Sequence, residues 1–258
     1  MAAQTNRRAV LAGVTASIAA LPLAGCDLLS GNPSVRKVLD KAEALTEYAQ
    51  RLLLSRQALA QEFNEADISE HFRANGSTDP DDPAYASLAQ SNFQDYRLEL
   101  SGLVNTPLRL SLTELRALPS RAQITRHDCV EGWSCIGKWT GVPLSTLLQR
   151  AGLSPSAKYI VFYCADSLEG SLDEGSKYYE SIDLIDAFHP QTILAYDMNG
   201  APLKVPYGAP LRLRVERQLG YKMAKYIMRI EAVADFREIN GGRGGYWEDR
   251  GYEWYAGI

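Results

Sequence analysis

Residues 125–148 read "TRHDCVEGWSCIGKWTGVPLSTLL" and place a single thiol, Cys129, among charged and aromatic side chains. The stretch 122–130 ("AQITRHDCV") predicts a β-strand that delivers Cys129 at or just beyond its end. The stretch 142–152 ("VPLSTLLQRAG") predicts a helix that Gly152 closes. A structural cysteine usually lies in apolar surroundings. Cys129 is therefore the first candidate for a functional residue, and a buried, inert thiol is the alternative.

The composition is that of a folded globular protein. Of the 258 residues, 46% are apolar and 22% are charged, and the formal net charge is −4. This length holds one large core with an appendage, or two small domains. A weakly acidic chain lacks the basic surface that nucleic acids require. We therefore expect no nucleic acid among the partners.

The first 26 residues have the pattern of an export signal. Arg7 and Arg8 precede an uncharged stretch, residues 9–25, which is short for a membrane-spanning helix. The paired arginines resemble a Tat signal, which predicts the Tat export machinery as a partner. The run "LAGC" resembles a lipobox ending at Cys26, and an ordinary signal with an incidental Cys26 is the alternative. We expect a periplasmic location at the cytoplasmic membrane, with a lipid anchor at Cys26.

Residues 27–68 are expected to form a helical N-terminal arm. Asn32 is a suitable cap, Pro33 suits the first helical position, and apolar residues recur at three-and-four spacing as far as Phe63. A packed arm or a spacer is the expected role of this long amphipathic helix. The turn-rich residues 75–83 ("NGSTDPDDP") predict a loop.

The remaining sequence, residues 69–258, alternates short strands, turns and short helices. Residues 111–118 ("SLTELRAL") predict a helix that begins with a capping box. Residues 191–203 ("QTILAYDMNGAPL") predict a hairpin with an Asn-Gly turn. Further strands are predicted in "YRLELSGLV", "KYIVFYCAD", "APLRLRVERQ" and "YIMRIEAV". The mixture predicts an α+β fold with mixed sheets and surrounding helices, without a repeating βαβ pattern.

The four cysteines are Cys26, Cys129, Cys135 and Cys164. If Cys26 is lipidated, an odd number remains and at least one thiol is free. A disulfide between Cys129 and Cys135 is one possibility. The chain has no C-x-x-C-H motif, so covalent c-type haem is excluded.

Residues 129–148 resemble the cofactor-binding segment of the sulfite oxidase superfamily. The branch that they match most closely contains the catalytic subunits of periplasmic protein-methionine-sulfoxide reductase. The matching positions are Cys129, Val130, Glu131, Trp133, Ser134, Trp139, Gly141, Pro143 and Leu144. Further matches, "FRANGSTDPDDPA", "GAPLRL" and "LGYKMAKYIMRI", extend the resemblance over residues 69–258. The resemblance implies a sulfite-oxidase-type molybdopterin-binding fold.

The resemblance also implies a cofactor and the residues that hold it. A molybdenum ion carried by one pyranopterin dithiolene is expected, with Cys129 as the protein's metal ligand; a metal-bound thiol is deprotonated. Glu131 is expected to tune proton delivery, because an extended backbone places it on the same side as Cys129. Cofactor contacts are expected from Arg73, Asn75, Cys164, Tyr207, Arg212, Met223, Ala224 and Lys225. Cys135 is expected to be a filler.

The implied activity is two-electron oxo transfer, expected in the direction of reducing an S-oxide or N-oxide, on a small molecule or a protein. The arginine-rich run of true sulfite oxidases is replaced here by "VEGWS", which disfavours sulfite oxidation. Oxidation of a small substrate and a cofactor-free, lipid-anchored binding module are the alternatives. A cysteine hydrolase using Cys129 with His127 or His189 is disfavoured, because no nucleophile-elbow pattern exists.

The expected assembly is a monomer with a separate electron-transfer partner, either a membrane haem protein or a cytochrome. The glycine-rich, aromatic residues 241–258 are expected either to wall the cofactor pocket or to form a packed tail. His189 is expected to be a packed residue at a helix end, and Asp128, His127 and Trp133 are expected to shape the surroundings of Cys129.

Overall fold

The computed structural model describes residue 42 and residues 45–53, 55–169 and 176–258. The chain divides into two compact units, Met1–Gln50 and Arg51–Ile258. In the first unit the described residues 45–50 are helical. The export signal, including Cys26, lies outside the described residues. Within the described ranges, no helix has the length and apolar character needed to cross a membrane.

The second unit contains two β-sheets with short helices around them, as the α+β prediction requires. Its strands are β1 Arg97–Gly102, β2 Leu108–Ser111, β3 Arg121–Asp128, β4 Ser134–Pro143, β5 Tyr159–Ser167, β6 Lys177–Asp183, β7 Ile193–Met198, β8 Ala201–Pro202, β9 Arg212–Arg214 and β10 Ile227–Val233. Its α-helices are α1 Pro83–Gln90, α2 Leu112–Arg116, α3 Leu144–Ala151 and α4 Leu184–Ala187. Single 3-10 turns occur at Glu65–Asp67, Val205–Tyr207, Gly220–Lys222 and Glu248–Arg250.

The first sheet has the order β2-β1-β10-β5-β6 and is mixed. β1 and β10 are parallel, whereas the other neighbours in this sheet are antiparallel. The second sheet has the order β3-β4-β7-β8, with β9 paired to β7, and all its pairs are antiparallel. The long β3/β4 hairpin in this sheet carries the turn that contains Cys129.

Local sequence signals account for several element boundaries. Ser111 caps α2 through a capping box with Glu114, and α3 ends at Gly152, whose φ of 66° is left-handed. Asn199 and Gly200 both have positive φ, 52° and 79°, in the turn between β7 and β8. Two consecutive left-handed residues are the signature of the tight hairpin turn that an Asn-Gly pair favours. These predictions are confirmed.

The helical prediction is wrong for residues 55–63, which are not helical. Phe63 N donates to Ile124 O at 2.9 Å, and Glu62 forms an isolated bridge with Thr125 of β3. β3 is the outer strand of its sheet, and its unpaired backbone groups are satisfied by this extended segment. Tertiary pairing with β3 therefore overrides the helical periodicity of the sequence.

The main core lies around the first sheet and α3. Helix α3 buries Leu144, Leu147, Leu148 and Ala151 on one face, which fixes the end of β4 against the rest of the unit. A smaller cluster around Trp139 and Phe72 packs behind the β3/β4 hairpin. The hairpin turn is thereby held at the surface above a rigid base.

Candidate functional site: a cavity at the Cys129 turn

Cys129 lies directly after β3, as the sequence predicts, in a tight turn that joins β3 to β4. Its N–H donates to Trp133 O at 2.9 Å, and Gly132 N donates to Cys129 O at 3.0 Å. Gly132 has a φ of 83°, which a glycine adopts without strain. Cys129, Cys135 and Cys164 are all free thiols, so the disulfide between Cys129 and Cys135 is absent.

Glu131 sits within this turn, so the expected extended backbone between Cys129 and Glu131 is wrong. The turn forms because Gly132 supplies the reversal of chain direction that the hairpin needs. Trp133 Nε1 donates to Glu131 Oε2 at 2.9 Å, and Arg73 Nη2 lies 3.6 Å from the same oxygen. The Arg73 guanidinium also lies over the Trp133 ring, 5.3 Å from its centroid. Glu131 still faces the cavity beside Cys129.

His127 is buried behind the turn and is held as a neutral base. Arg214 Nη1 lies 3.1 Å from His127 Nδ1, and Met223 Sδ lies 3.3 Å from the same nitrogen. Burial and the positive charge of Arg214 hold the pKa of His127 well below its ordinary value. In the part of the chain that the structure describes, no hydrogen bond joins His127 to Cys129, and His127 Nε2 has no partner. This arrangement is not that of a Cys-His hydrolase.

His189 is also a packed residue, as expected. It follows α4, its Nε2 lies 3.0 Å from Ala58 O, and its Nδ1 accepts from Gln191 N at 3.2 Å. Asp128 accepts from Ser134 Oγ and from Arg126 Nε, so it braces the base of the hairpin.

A cavity opens to solvent beside the Cys129 turn. Burial raises the pKa of the Cys129 thiol above its ordinary value, and the Glu131 charge adds to this effect. The free thiol is therefore protonated at neutral pH.

Five of the ten predicted site residues line this cavity: Asn75, Cys129, Glu131, Met223 and Lys225. The other five do not, namely Arg73, Cys164, Tyr207, Arg212 and Ala224. Cys164 is buried in the core, where burial raises its pKa, and it borders a separate cavity. Ala224 is buried, and its carbonyl accepts from Leu213 N at 2.8 Å.

Arg212 and Tyr207 form a layer behind the cavity. Arg212 is fully buried, its Nη1 donates to Tyr207 O at 3.1 Å, and its guanidinium lies 4.9 Å from the Trp139 ring centroid. Burial and the neighbouring Arg214 lower the pKa of Arg212 to about 9. Arg212 Nε and Nη2 have no hydrogen-bond partner within the described ranges. Tyr207 donates its hydroxyl to Phe72 O at 3.0 Å.

Lys225 and Asp166 both lie on the wall of the cavity. Lys225 Nζ donates to the carbonyls of Asn75 at 2.7 Å, Ser77 and Pro206 at 3.0 Å. Burial lowers the pKa of Lys225, and the neighbouring Arg212 lowers it further. Burial raises the pKa of Asp166, whose Oδ1 has no partner among the described residues.

The sequence predictions missed ten lining residues: Gly76, Ser77, Val130, Asp166, Leu168, Tyr178, Gly220, Tyr221, Trp247 and Tyr252. Most lie beside predicted positions or in the aromatic C-terminal segment, which does wall the pocket.

Comparison with known proteins identifies the family. A family model described as the oxidoreductase molybdopterin-binding domain matches residues 85–238. The chain belongs to this family. It is therefore an oxidoreductase whose cofactor is molybdenum-molybdopterin.

Relatives within this family cover most of the chain. It is 39% identical over 242 residues to "Putative protein-methionine-sulfoxide reductase subunit YedZ1" of Azospira oryzae, an alignment that covers 92% of this chain and 84% of that protein. It is 33% identical over 225 residues to the protein-methionine-sulfoxide reductase catalytic subunit MsrP of Xanthomonas campestris, covering 85% of this chain and 67% of the relative.

The fold of this molybdopterin-binding chain resembles that of the sulfane dehydrogenase SoxCD from Paracoccus pantotrophus. The TM-score is 0.51 with 23% sequence identity, and the match covers 74% of this chain and 52% of that one. The sulfite-oxidase-type fold expected from the sequence is confirmed.

The residues of the cavity fit a molybdopterin. The buried atoms Asp166 Oδ1 and Asn75 Oδ1 have no protein partner within the described ranges and are acceptors suited to the N–H groups of a pterin. Lys225 is a cation suited to a phosphate, and Cys129 presents a thiol at the same cavity. Gly220 allows close packing, because a Cβ there would meet the His127 ring at 2.5 Å.

Proposed function

We propose that this protein reduces S-oxides to thioethers with Cys129 as the protein ligand of its molybdenum. The balanced reaction is R₂SO + 2 e⁻ + 2 H⁺ → R₂S + H₂O. The electrons come from a separate donor, a membrane haem protein or a cytochrome. The relatives named as protein-methionine-sulfoxide reductase subunits support this direction.

The observation that carries the proposal is the free Cys129 thiol on the wall of the one cavity that also contains Asn75, Glu131 and Lys225. When bound, the cofactor supplies two-electron oxygen-atom transfer at molybdenum. The role of the chain is to hold it: Cys129 binds the metal, and Lys225, with Arg212 behind it, provides positive charge for the phosphate. Asn75 and Asp166 offer acceptors to the pterin. The wall excludes water from one side of the site.

The charges on the wall favour a neutral substrate. Among the described lining residues, Glu131 and Asp166 are acidic, whereas Lys225 is the sole cation and is assigned to the phosphate of the cofactor. An anion such as sulfite would meet little uncompensated positive charge in this cavity. A sulfoxide is neutral and presents one strong acceptor oxygen, so it suits the site better.

The decisive test replaces Cys129 with serine and uses Cys135→Ser as the matched control. Cys135 is a second free thiol on the same hairpin, and its Sγ lies 3.7 Å from His71 O, away from the cavity lining. We expect Cys129→Ser to lose sulfoxide reduction and the molybdenum–sulfur signal in X-ray absorption, and Cys135→Ser to keep both. Full turnover by Cys129→Ser would overturn the assignment of the ligand.

The substrate is tested with methionine sulfoxide, trimethylamine N-oxide and sulfite, using a reduced viologen as donor for the first two and ferricyanide as acceptor for sulfite. We expect the highest kcat/KM with methionine sulfoxide. A higher kcat/KM with sulfite would establish the oxidative alternative. Protein that contains no molybdenum after production in a molybdenum-replete host would establish the cofactor-free module.

We also propose that the protein is exported by the Tat route and anchored to the membrane through Cys26, and that it works as a monomer. The paired Arg7 and Arg8 and the run "LAGC" support the export and anchoring proposals. Replacing both arginines with lysine should trap the protein in the cytoplasm, and Cys26→Ala should release it from the membrane fraction. Unchanged fractionation of both variants would contradict these proposals.

A further inference from the structure

Three aromatic side chains form a stacked wall on one side of the cavity. Trp247 stacks on Tyr252 with ring centroids 5.1 Å apart and an interplanar angle of 26°. Tyr221 meets Tyr252 edge to face, with centroids 5.3 Å apart at 88°. All three line the cavity that contains Cys129.

The segment that carries Trp247 and Tyr252 is fixed by three consecutive charged residues. Glu248 is buried and accepts from Lys222 Nζ at 2.6 Å. Asp249 accepts from Tyr179 Oη and from two backbone N–H groups, at 3.0 Å each. Arg250 Nη1 donates to Tyr246 O at 2.9 Å. The rings are therefore held in place before any ligand arrives, which lowers the entropic cost of binding.

The mouth of the cavity exposes apolar surface. Val130, next to Cys129, is 47% exposed, and Tyr252 is 38% exposed. Met223 and Leu168 continue the apolar lining on the inside. Exposed apolar groups that are contiguous with a reactive cavity usually mark a binding site.

We propose that Trp247, Tyr252 and Val130 form the subsite for the apolar substituent of the sulfoxide, and so determine which sulfoxides react. This inference rests on the proposed reduction at Cys129. The oxygen of a sulfoxide must face the molybdenum, so its carbon substituents must contact another surface. Aromatic faces attract both alkyl groups and thioether sulfur. An aryl or longer alkyl substituent gains these contacts, whereas dimethyl sulfoxide gains few.

The test compares Trp247→Ala and Tyr252→Ala with the wild-type holoenzyme on methyl phenyl sulfoxide and dimethyl sulfoxide. We expect the KM for methyl phenyl sulfoxide to rise ~10-fold, because uniform binding is lost, while its kcat changes less than ~2-fold. The KM for dimethyl sulfoxide should change less than ~2-fold. Phe188→Ala is the matched control, because Phe188 is 39% exposed and does not line the cavity.

Val130→Ser provides a second test that does not depend on packing, since Val130 is exposed in a turn. It should raise the KM for methyl phenyl sulfoxide by ~3-fold, in the same direction as the aromatic variants. Equal changes in KM for both sulfoxides in all three variants, or no change for methyl phenyl sulfoxide, would overturn the subsite.

Binding of the product, methyl phenyl sulfide, separates this inference from the proposed function. Calorimetry on the holoenzyme should show tighter binding to the wild type than to Trp247→Ala. If the wild type binds the sulfide in this way but reduces neither sulfoxide, the proposed reduction fails and the subsite stands. If both aromatic variants bind the sulfide as tightly as the wild type, the subsite fails whatever the turnover.

Discussion

Lys222 and Lys225 lie in one segment, yet their surroundings are opposite. Lys222 is fully buried and contacts two carboxylates, Glu180 and Glu248. Burial alone would lower the pKa of Lys222, but the two carboxylates outweigh this effect and raise the pKa above its ordinary value. Lys225 donates to three backbone carbonyls, and burial and the charge of Arg212 lower its pKa to about 7.

Buried charge therefore serves two purposes in this segment. Lys222, Glu180 and Glu248 form a cluster, here called the Lys222 cluster, that joins β6 to the 3-10 turn Glu248–Arg250. The lysine has a carboxylate on either side. Lys225 instead donates to neutral backbone carbonyls and lies on the wall of the cavity. A buried cation held between carboxylates supports a fold, whereas a buried charge beside a cavity is typical of a binding site.

The largest effect is expected for Lys222→Met, which removes the cation from between two buried carboxylates. We expect the free energy of unfolding to fall by ~3–5 kcal/mol, as for other broken buried ion pairs. Urea denaturation followed by circular dichroism measures this change.

Glu180→Gln is the matched variant for that experiment. Burial and the charge of Glu248 raise the pKa of Glu180 well above its ordinary value, so a neutral side chain is tolerated there. We expect Glu180→Gln to lower the free energy of unfolding by less than Lys222→Met does. An equal or larger cost would contradict the view that Lys222 is the dominant member of the cluster.

A smaller effect on stability is expected for Lys225→Met. The variant loses three hydrogen bonds to carbonyls near the cavity mouth, and we expect a loss of ~1–3 kcal/mol in the free energy of unfolding. Its main effect should be on cofactor retention and on amide hydrogen exchange at residues 75–77. A stability loss equal to that of Lys222→Met would remove the contrast between the two lysines.

The stability of the protein is expected to depend on pH through Asp166. Burial raises the pKa of Asp166 from 3.8 to about 7, so between these values the folded state binds a proton that the unfolded state releases. The stability from this group is complete below pH 3.8 and is lost as pH rises to about 7. In cofactor-free protein, Asp166→Asn should therefore gain thermal stability relative to wild type between pH 4 and 7. A constant difference in Tm across this range would show that Asp166 is ionised throughout.

The smallest effect is expected for an exposed pair, which gives the baseline for the buried ones. Arg109 Nε lies 3.3 Å from Glu99 Oε1, and the two side chains are 71% and 53% exposed. Arg109→Ala should change the free energy of unfolding by less than ~1 kcal/mol, and less still at high salt. A larger change would mean that solvent exposure does not determine how much an ion pair contributes to the stability of this protein.

Local structure and the position of Cys129 were predictable from the sequence. The capping box at Ser111, the end of α3 at Gly152, the Asn199–Gly200 turn and the position of Cys129 after β3 all follow from neighbouring residues. Such signals depend on residues that are close in sequence, so they can be read without knowing the fold.

Other features depended on distant segments. Residues 55–63 have a helical pattern but pair with β3, and the turn at Gly132 changed the expected relation of Glu131 to Cys129. Asp166 and Trp247 reached the cavity from remote parts of the chain.

The sequence by itself determined the family motif, the α+β class and the thiol at the centre of the site. Only the tertiary structure decided which polar groups stay unpaired around that thiol and which aromatic rings enclose it. The physical reason is that long-range packing determines how deeply a side chain is buried and which hydrogen-bond or ion-pair partners it has. These two properties decide whether a charged or aromatic side chain supports the fold or faces a ligand.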